Sequence, residues 1–273
     1  MGGEMLRFAQ HDTLKGLVRT TMAINVILAL MIVGSFLLAI VLHESGHALM
    51  ASVLGDPTPR VEGRQSFSLA THLDALGTIL CLILAFQPVL FGPVGLGWGK
   101  PVKTDPWKLR GGPNGGTLLV ALAGPIFSLA IGLLFALLLR FIFGLPFLNQ
   151  ISSPVLLWLV THFLQLLTVF ASVNICLALF NVLPFYPLDG YQIVYTLLPT
   201  RQAVQFAKSA PYGPFIVLGI FFLLPFLAQI SGSGLSSLFI FHIPTYLLEG
   251  SLALIGLVSG QPLVAVGIHY FLP

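Results

Sequence analysis

Apolar residues in this chain of 273 residues run in long unbroken blocks, not in alternation and not as narrow amphipathic stripes. The blocks fall at about 21–54, 75–98, 117–145, 153–183, 212–229 and 235–258. A stretch of roughly 20 apolar residues, as a helix, matches a hydrocarbon core of about 30 Å. Backbone polar groups find no water in lipid, so only helices or closed barrels cross it. The absence of alternation selects helices. The pattern therefore predicts an all-α, polytopic transmembrane helical bundle with five to six spans. The block at 21–54 exceeds the core thickness, so its helix must tilt or protrude. The block at 75–98 is broken by Pro88 and Pro93 and by Gly92, Gly95 and Gly97, which suits a re-entrant or non-spanning segment. In 117–145, Gly124-Pro125 and Gly132 allow close approach of a neighbouring helix. Connectors rich in Gly, Pro and polar residues occupy 55–71, 99–116 and 184–211.

Composition sharpens this picture. Hydrophobic residues make up 56% and charged residues only 8%, against about 25% charge in a soluble domain. Mean hydropathy is +0.97. The net charge of +3 comes from basic residues in short inter-helix segments, which fits membrane topology and the lipid bilayer as partner, not nucleic acid. Cys81 and Cys176 lie inside apolar blocks and are expected to pack as small hydrophobes without a disulfide. Residues 1–20 form a polar, mildly basic segment with Arg7, Lys15 and Arg19. A myristoylation pattern fails there because position 6 is Leu. The block that follows is too long for a signal-peptide core and reads as a retained anchor. Residues 21–273 read as one integral-membrane domain, with a core at 21–200 and C-terminal helices at 212–273.

The chemistry concentrates at His43-Glu44-Ser45-Gly46-His47, near the end of the first block. Two histidines four apart lie on one helical face and can reach one metal ion. Glu44 is then placed as general base toward water held by that ion. The bland alternative is a polar helix end with a capping histidine. No charge occurs from Thr21 to Leu42, so these ionisable groups continue a hydrocarbon-compatible helix, where such groups default to a functional reading. A catalytic zinc takes three protein ligands and keeps one open position. The third ligand has four candidates in or near apolar sequence: His72, Asp74, Asp189 and Glu249. Asp189 is the strongest. It closes the run Asn181-Val182-Leu183-Pro184-Phe185-Tyr186-Pro187-Leu188-Asp189-Gly190, where two prolines stop a spanning helix and Gly190 permits a sharp turn. The competing reading is a helix stop with a solvated Asp. Charge balance favours the ligand: Zn2+, two neutral imidazoles, one carboxylate and a hydroxide sum to zero.

These two motifs together resemble the site-2 protease family of intramembrane zinc metalloproteases. Gly55-Asp56-Pro57-Thr58-Pro59-Arg60, His72-Leu73-Asp74-Ala75-Leu76-Gly77-Thr78, Gly97-Trp98-Gly99-Lys100-Pro101-Val102 and Ala123-Gly124-Pro125 are similar to its minimal bacterial and archaeal subgroup without accessory domains. The likeness covers roughly residues 20–225. It implies His43, His47 and Asp189 as zinc ligands, Glu44 as catalytic base, a transmembrane protein as substrate, and residence in the cell membrane of a prokaryote. It also places Asn181 in the Asp189 motif, as a substrate contact. Tyr186 departs from the family, which often has proline there. The alternative class is a non-catalytic membrane protein, either a metal-binding transporter or a degenerate protease acting as a binding module. A transporter would offer inverted repeats. A degenerate protease would lack the base or a ligand, and none is lacking.

Topology follows from parity. Three apolar blocks separate His47 from Asp189. Three full crossings would put them on opposite membrane faces, so 75–98 should not span. Arg60, Arg64, Lys100, Lys103, Lys108, Arg110, Arg201 and Lys208 then share one face, taken as cytoplasmic. A layout in which every block spans fits the positive-inside rule slightly better, so the metal geometry decides against that rule. Among other polar residues, His72 and Asp74 read as structural or as partners of the ligands. Asn174 and Asn181 are seven apart on one face and serve as substrate contacts or helix glue. His162, His242 and His269 read as interhelical hydrogen-bonders.

Overall fold

The computed structural model describes residues 25–87, 92–231 and 239–271, all of the regular structure among them helical. The polar segment 1–20, the start of the first block, Pro88 and the first residues of the 235–258 block lie outside the described residues. Helix α1, Val26–Val53, is capped by Asn25, whose side chain accepts from the Leu28 N–H at 2.9 Å. A connector with two single helical turns follows, then the short helix α2, Ala75–Ala85. From Gly92 the chain runs without helix to Asp105. Helix α3, Gly112–Phe143, opens with Pro113 in its first turn. Helix α4, Pro154–Asn181, is followed by α5, Asp189–Leu197, and by the broken helix α6 over Thr200–Ala228. The chain ends in α7, Ile243–Ser259, and α8, Leu263–Tyr270.

Helices α1, α3, α4 and α6 are each long and apolar enough to cross a membrane. The pair α7 and α8, bent by 115° at a short break, passes the same test. This fits the lower end of the expected five to six spans. The block at 75–98 divides as its glycines and prolines require. Eleven residues of α2 reach about 17 Å at 1.5 Å per residue, too short for a ~30 Å core. The extended part, Gly92–Gly99, is threaded into the protein, with Val94, Leu96 and Trp98 buried. Its backbone is anchored by the Tyr270 hydroxyl, which donates to the Pro93 carbonyl at 2.9 Å. Non-helical backbone at such depth is tolerated only when protein covers it or it lines a cavity.

α4 is the axis of the bundle. Along its second half every residue from Leu167 to Ala178 is buried. α3 packs on it through Gly132, where a Cβ would stand 2.5 Å from Ile175 Cγ1 and 3.0 Å from the Ala171 carbonyl oxygen. With lipid as apolar as the side chains, such close small-residue contact drives association. α1 buries Leu28, Ile32, Phe36, Ala39, Ile40, His43 and His47, one stripe at three- and four-residue spacing, and turns Leu30, Leu38 and Leu49 outward to lipid.

The polar stretch 184–211 carries α5 and the start of α6, with Pro187 and Pro199 placed just ahead of them. The expected C-terminal helices include α8, which buries Val266 and Tyr270.

The parity inference is met: the last turns of α1 and α4 lie at the same end of the bundle. At that end the connectors 55–71 and 99–111 are joined. The Arg110 N–H donates to the Leu54 carbonyl at 2.8 Å, and the Lys100 N–H to the His72 carbonyl at 2.7 Å. Both native cysteines are buried, so single introduced cysteines can be read cleanly. Cysteines replacing Arg60 and Lys103 are expected to react with an impermeant maleimide from one face of oriented vesicles, and one replacing Gln150 from the other. Labelling of positions 60 and 103 from opposite faces would overturn this topology.

Candidate metal centre

The HExxH turn sits in the last third of α1, with His43, Glu44 and His47 buried at 1%, 5% and 5% exposure. Asp189 arrives from 146 residues further on. α4 stops at Asn181, the chain breaks across Pro184 and the cis-linked Pro187, and Asp189 opens α5. An acidic residue there is favoured by the helix dipole. Gly190 matters in a way the sequence did not suggest. Its φ is not positive; instead a Cβ would fall 2.1 Å from the Val182 carbonyl oxygen. Glycine here lets the start of α5 lie directly on the end of α4.

The Asp189 carboxylate closes on both imidazoles. Oδ2 is 2.9 Å from His43 Nε2 and Oδ1 is 3.2 Å from His47 Nε2. The two Nε2 atoms are 3.2 Å apart. His47 Nδ1 lies 2.7 Å from the Val120 carbonyl oxygen, which can only accept, so this nitrogen carries the proton. In the neutral ring Nε2 then turns its lone pair toward Asp189 and His43. His43 Nδ1 is held at 2.9 Å by the Ser128 hydroxyl. One donor atom from each of His43, His47 and Asp189 lies within 4.8 Å of the others, a set that could hold a metal ion. The donor chemistry fits one: two imidazoles and a carboxylate, with the outer imidazole nitrogens fixed by a carbonyl and a hydroxyl as metal-binding histidines require.

α3 shapes the site from the opposite side. Val120, Gly124 and Ser128 recur every four residues on one face. A Cβ on Gly124 would stand 2.1 Å from His47 Nε2 and 2.7 Å from His43 Nε2. The imidazoles occupy that space. Glu44 faces a cavity of about 360 Å³ that is also lined by His47, Trp98, Asn181, Tyr186 and Asp189. The backbone at Gly99 lies so close that a Cβ there would be 2.4 Å from Glu44 Oε1. Cavity, carboxylate and donor set thus meet at one point.

Of the four candidates for the third ligand, the structure brings only Asp189 to the histidines. Asp74 caps α2 by accepting from the Gly77 N–H at 3.0 Å. His72 is fully buried with Nε2 2.8 Å from the Ser66 carbonyl, and its own carbonyl holds Lys100. Burial lowers its pKa below the usual histidine value, the Ser66 carbonyl opposes this, and Arg64 lowers it further. Glu249 is exposed on α7. Asn181 lines the cavity, its amide donating to the Leu177 carbonyl at 2.9 Å. Asn174 is buried between helices and bonds within its own helix. The interhelical role expected for His162 and His269 is not met. His162 bonds back to the Trp158 carbonyl in its own helix, since that face of α4 looks to lipid, and His269 stacks on Phe143 with Nδ1 unpartnered. His242 packs beside Tyr246. Sequence reasoning missed Ser128 and Val120; the spacing 120, 124, 128 was the available signal.

These features define a class: a membrane protein carrying a buried three-donor metal centre with a glutamate beside it. No protein-family model matches the chain, and no solved structure matches it. Among curated proteins it is similar to "Putative zinc metalloprotease YwhC" of Bacillus subtilis, 31% identical over 193 residues, which cover 70% of this chain and 79% of that protein. It is also similar to "Putative zinc metalloprotease Rip2" of Mycobacterium tuberculosis, 29% identical over 181 residues, 66% of this chain and 62% of that protein. The chain belongs to the zinc metalloprotease family that YwhC represents.

Gly124→Ala is expected to weaken divalent-metal affinity by about 100-fold or more, because the imidazoles must leave their positions. Gly34→Ala, where a Cβ meets nothing within 4 Å, is the control and should leave affinity unchanged. Ser128→Ala should fall between them, at about 10- to 100-fold. Competition with a chelating dye on detergent-solubilised protein measures all three.

Proposed function

We propose that this protein is an intramembrane zinc endopeptidase of the site-2 protease type, which hydrolyses peptide bonds within or near transmembrane helices of other membrane proteins in a prokaryotic cell membrane. The observation that carries the reading is the closure of Asp189 onto His43 and His47 at the end of two spanning helices, with Glu44 in the adjoining cavity. His43, His47 and Asp189 would hold the zinc. Bound there, zinc supplies the Lewis acid that makes water nucleophilic near neutral pH. The names of the two relatives support zinc and proteolysis.

The chain's own residues do the rest. Glu44 takes the proton of the attacking water and passes it to the leaving amine. The Val120 carbonyl and Ser128 hydroxyl hold the two rings so that both Nε2 atoms face inward. Asn181, with one amide hydrogen committed to Leu177, keeps its oxygen for a substrate N–H in the cavity. A helical substrate hides its amides in its own hydrogen bonds and must unwind to be cut. The irregular walls at 98–106 and 186–188 are suited to an unwound segment, since they bring backbone and not a packed helix face to the cavity. The transporter and degenerate-protease readings lack support: the base and all three donors are present and meet.

A tagged single-span protein is expected to be cleaved by the purified protein in detergent or vesicles. A chelator should abolish cleavage and added zinc restore it. Glu44→Gln should keep the metal and lose at least about 100-fold in kcat. Full activity in that variant would reject the role of Glu44, and metal-independent cleavage would reject the mechanism.

A further inference from the structure

Arg64 and Asp56 stand out because both are buried charges outside the metal centre, at 4% and 0% exposure. Both belong to the connector after α1, and both reach the same target. The Arg64 guanidinium donates through Nη1 to the Thr71 carbonyl at 2.6 Å and the Lys100 carbonyl at 3.0 Å, and through Nη2 to the Pro101 carbonyl at 3.1 Å. The Glu62 carboxylate lies 3.9 Å from Nε, a weak partner beside these three carbonyls. Asp56 accepts from the Asp105 N–H at 2.7 Å, and its other oxygen is held by the Thr58 N–H and hydroxyl. Burial alone would raise the Asp56 pKa, but these hydrogen bonds and Lys108 outweigh it, so the group stays below the usual carboxylate range and charged.

The segment pinned between them, Gly99–Asp105, is a wall of the active-site cavity. Gly99, Pro101, Val102 and Thr104 line it, while Lys103 is exposed. One end of the wall touches the Glu44 carboxylate at Gly99. A shift of the wall along its own direction would move every cavity-facing side chain relative to Glu44. Pairing of Leu73 with Gly99 and the Lys100 N–H bond to the His72 carbonyl hold its first residues; the fork of Arg64 across residues 100 and 101 and the Asp56 bond to residue 105 hold the segment from there to its far end.

We infer that Arg64 and Asp56 are positioning residues: they hold the Gly99–Asp105 wall in register with Glu44 and so determine which peptide bond of an unwound substrate is cut. This rests on the proteolytic reading above. An arginine suits the task because its planar fork spans adjacent carbonyls, which a lysine ammonium does not reproduce.

The test compares the full-length protein with Arg64→Gln, Arg64→Lys and Asp56→Asn on one tagged single-span substrate. Zinc content, KM, kcat and the masses of the products are the readouts. The expected result is one zinc per chain throughout, a KM raised about 5- to 20-fold in Arg64→Gln, and products cut at neighbouring bonds in addition to the native one. Arg64→Lys should fail to restore the single site, and Asp56→Asn should show the same scatter more weakly. If Arg64→Gln does not accumulate, Arg64→Lys, which retains the buried charge, carries the decision. An unchanged KM and a single unshifted product in the folded variants would overturn the inference. So would a lower kcat with unshifted products, the mark of a merely structural role. No cleavage by the unsubstituted protein would instead count against the proteolytic reading itself.

Discussion

Three electron-pair donors aimed at one point repel each other unless a cation lies between them. At this point two imidazole nitrogens stand 3.2 Å apart and a carboxylate bridges both, beneath the surface of an apolar bundle. Burying such a set without a counter-charge would be costly in a medium of low dielectric. The rest of the fold is arranged to make the convergence possible. α1 delivers the histidines, α4 ends in a break that turns Asp189 toward them, and α3 fixes the ring orientations from behind.

That convergence demands a tight crossing of α1 and α3, and the crossing is built from absent side chains. Gly46 sits where a Cβ would be 3.0 Å from Phe127 Cβ, and Gly124 yields its volume to the imidazoles. In lipid there is little hydrophobic gain from pressing helices together, so packing and polar contacts must hold them. Here the polar contacts also orient the ligands. Ser128 and the Val120 carbonyl are at once interhelical bonds and the second layer of the metal centre, so helix packing and ligand geometry depend on the same residues.

The parts of this arrangement that could be read in the sequence are those set by local pattern. His43, Glu44 and His47 declare themselves because a helix converts a spacing of four into one face. Asp189 is legible because prolines mark where α4 must stop, and the requirement that both motifs meet at one membrane face identifies 75–98 as the non-spanning block. What stayed hidden depends on contacts across long stretches of chain. Ser128 reaches His43 over 85 residues, and Arg64 reaches Lys100 over 36. The four-residue spacing of 120, 124 and 128 marks a helix face but not its partner, and no periodicity marks Arg64. His72 and Asp74 take the structural one of their two readings: Asp74 caps α2 and the His72 carbonyl supports the backbone of the extended segment.

The irregular backbone follows from the chemistry. A regular helix satisfies its own amides and offers a neighbour only side chains. A site that must accept an unwound peptide and water needs walls of another kind. Two segments supply them, the stretch through Gly99–Asp105 and the end of the break at 186–188, and both line the cavity. Such backbone cannot stabilise itself in an apolar setting, and each segment is braced from outside the cavity. His72 and Arg64 secure the near end of the first, and Asp56 its far end. Close contact of Gly190 with the end of α4 secures the second. The charged connector is thus part of the site's construction: fixing an extended wall in low dielectric takes hydrogen bonds from groups that would not otherwise be buried there.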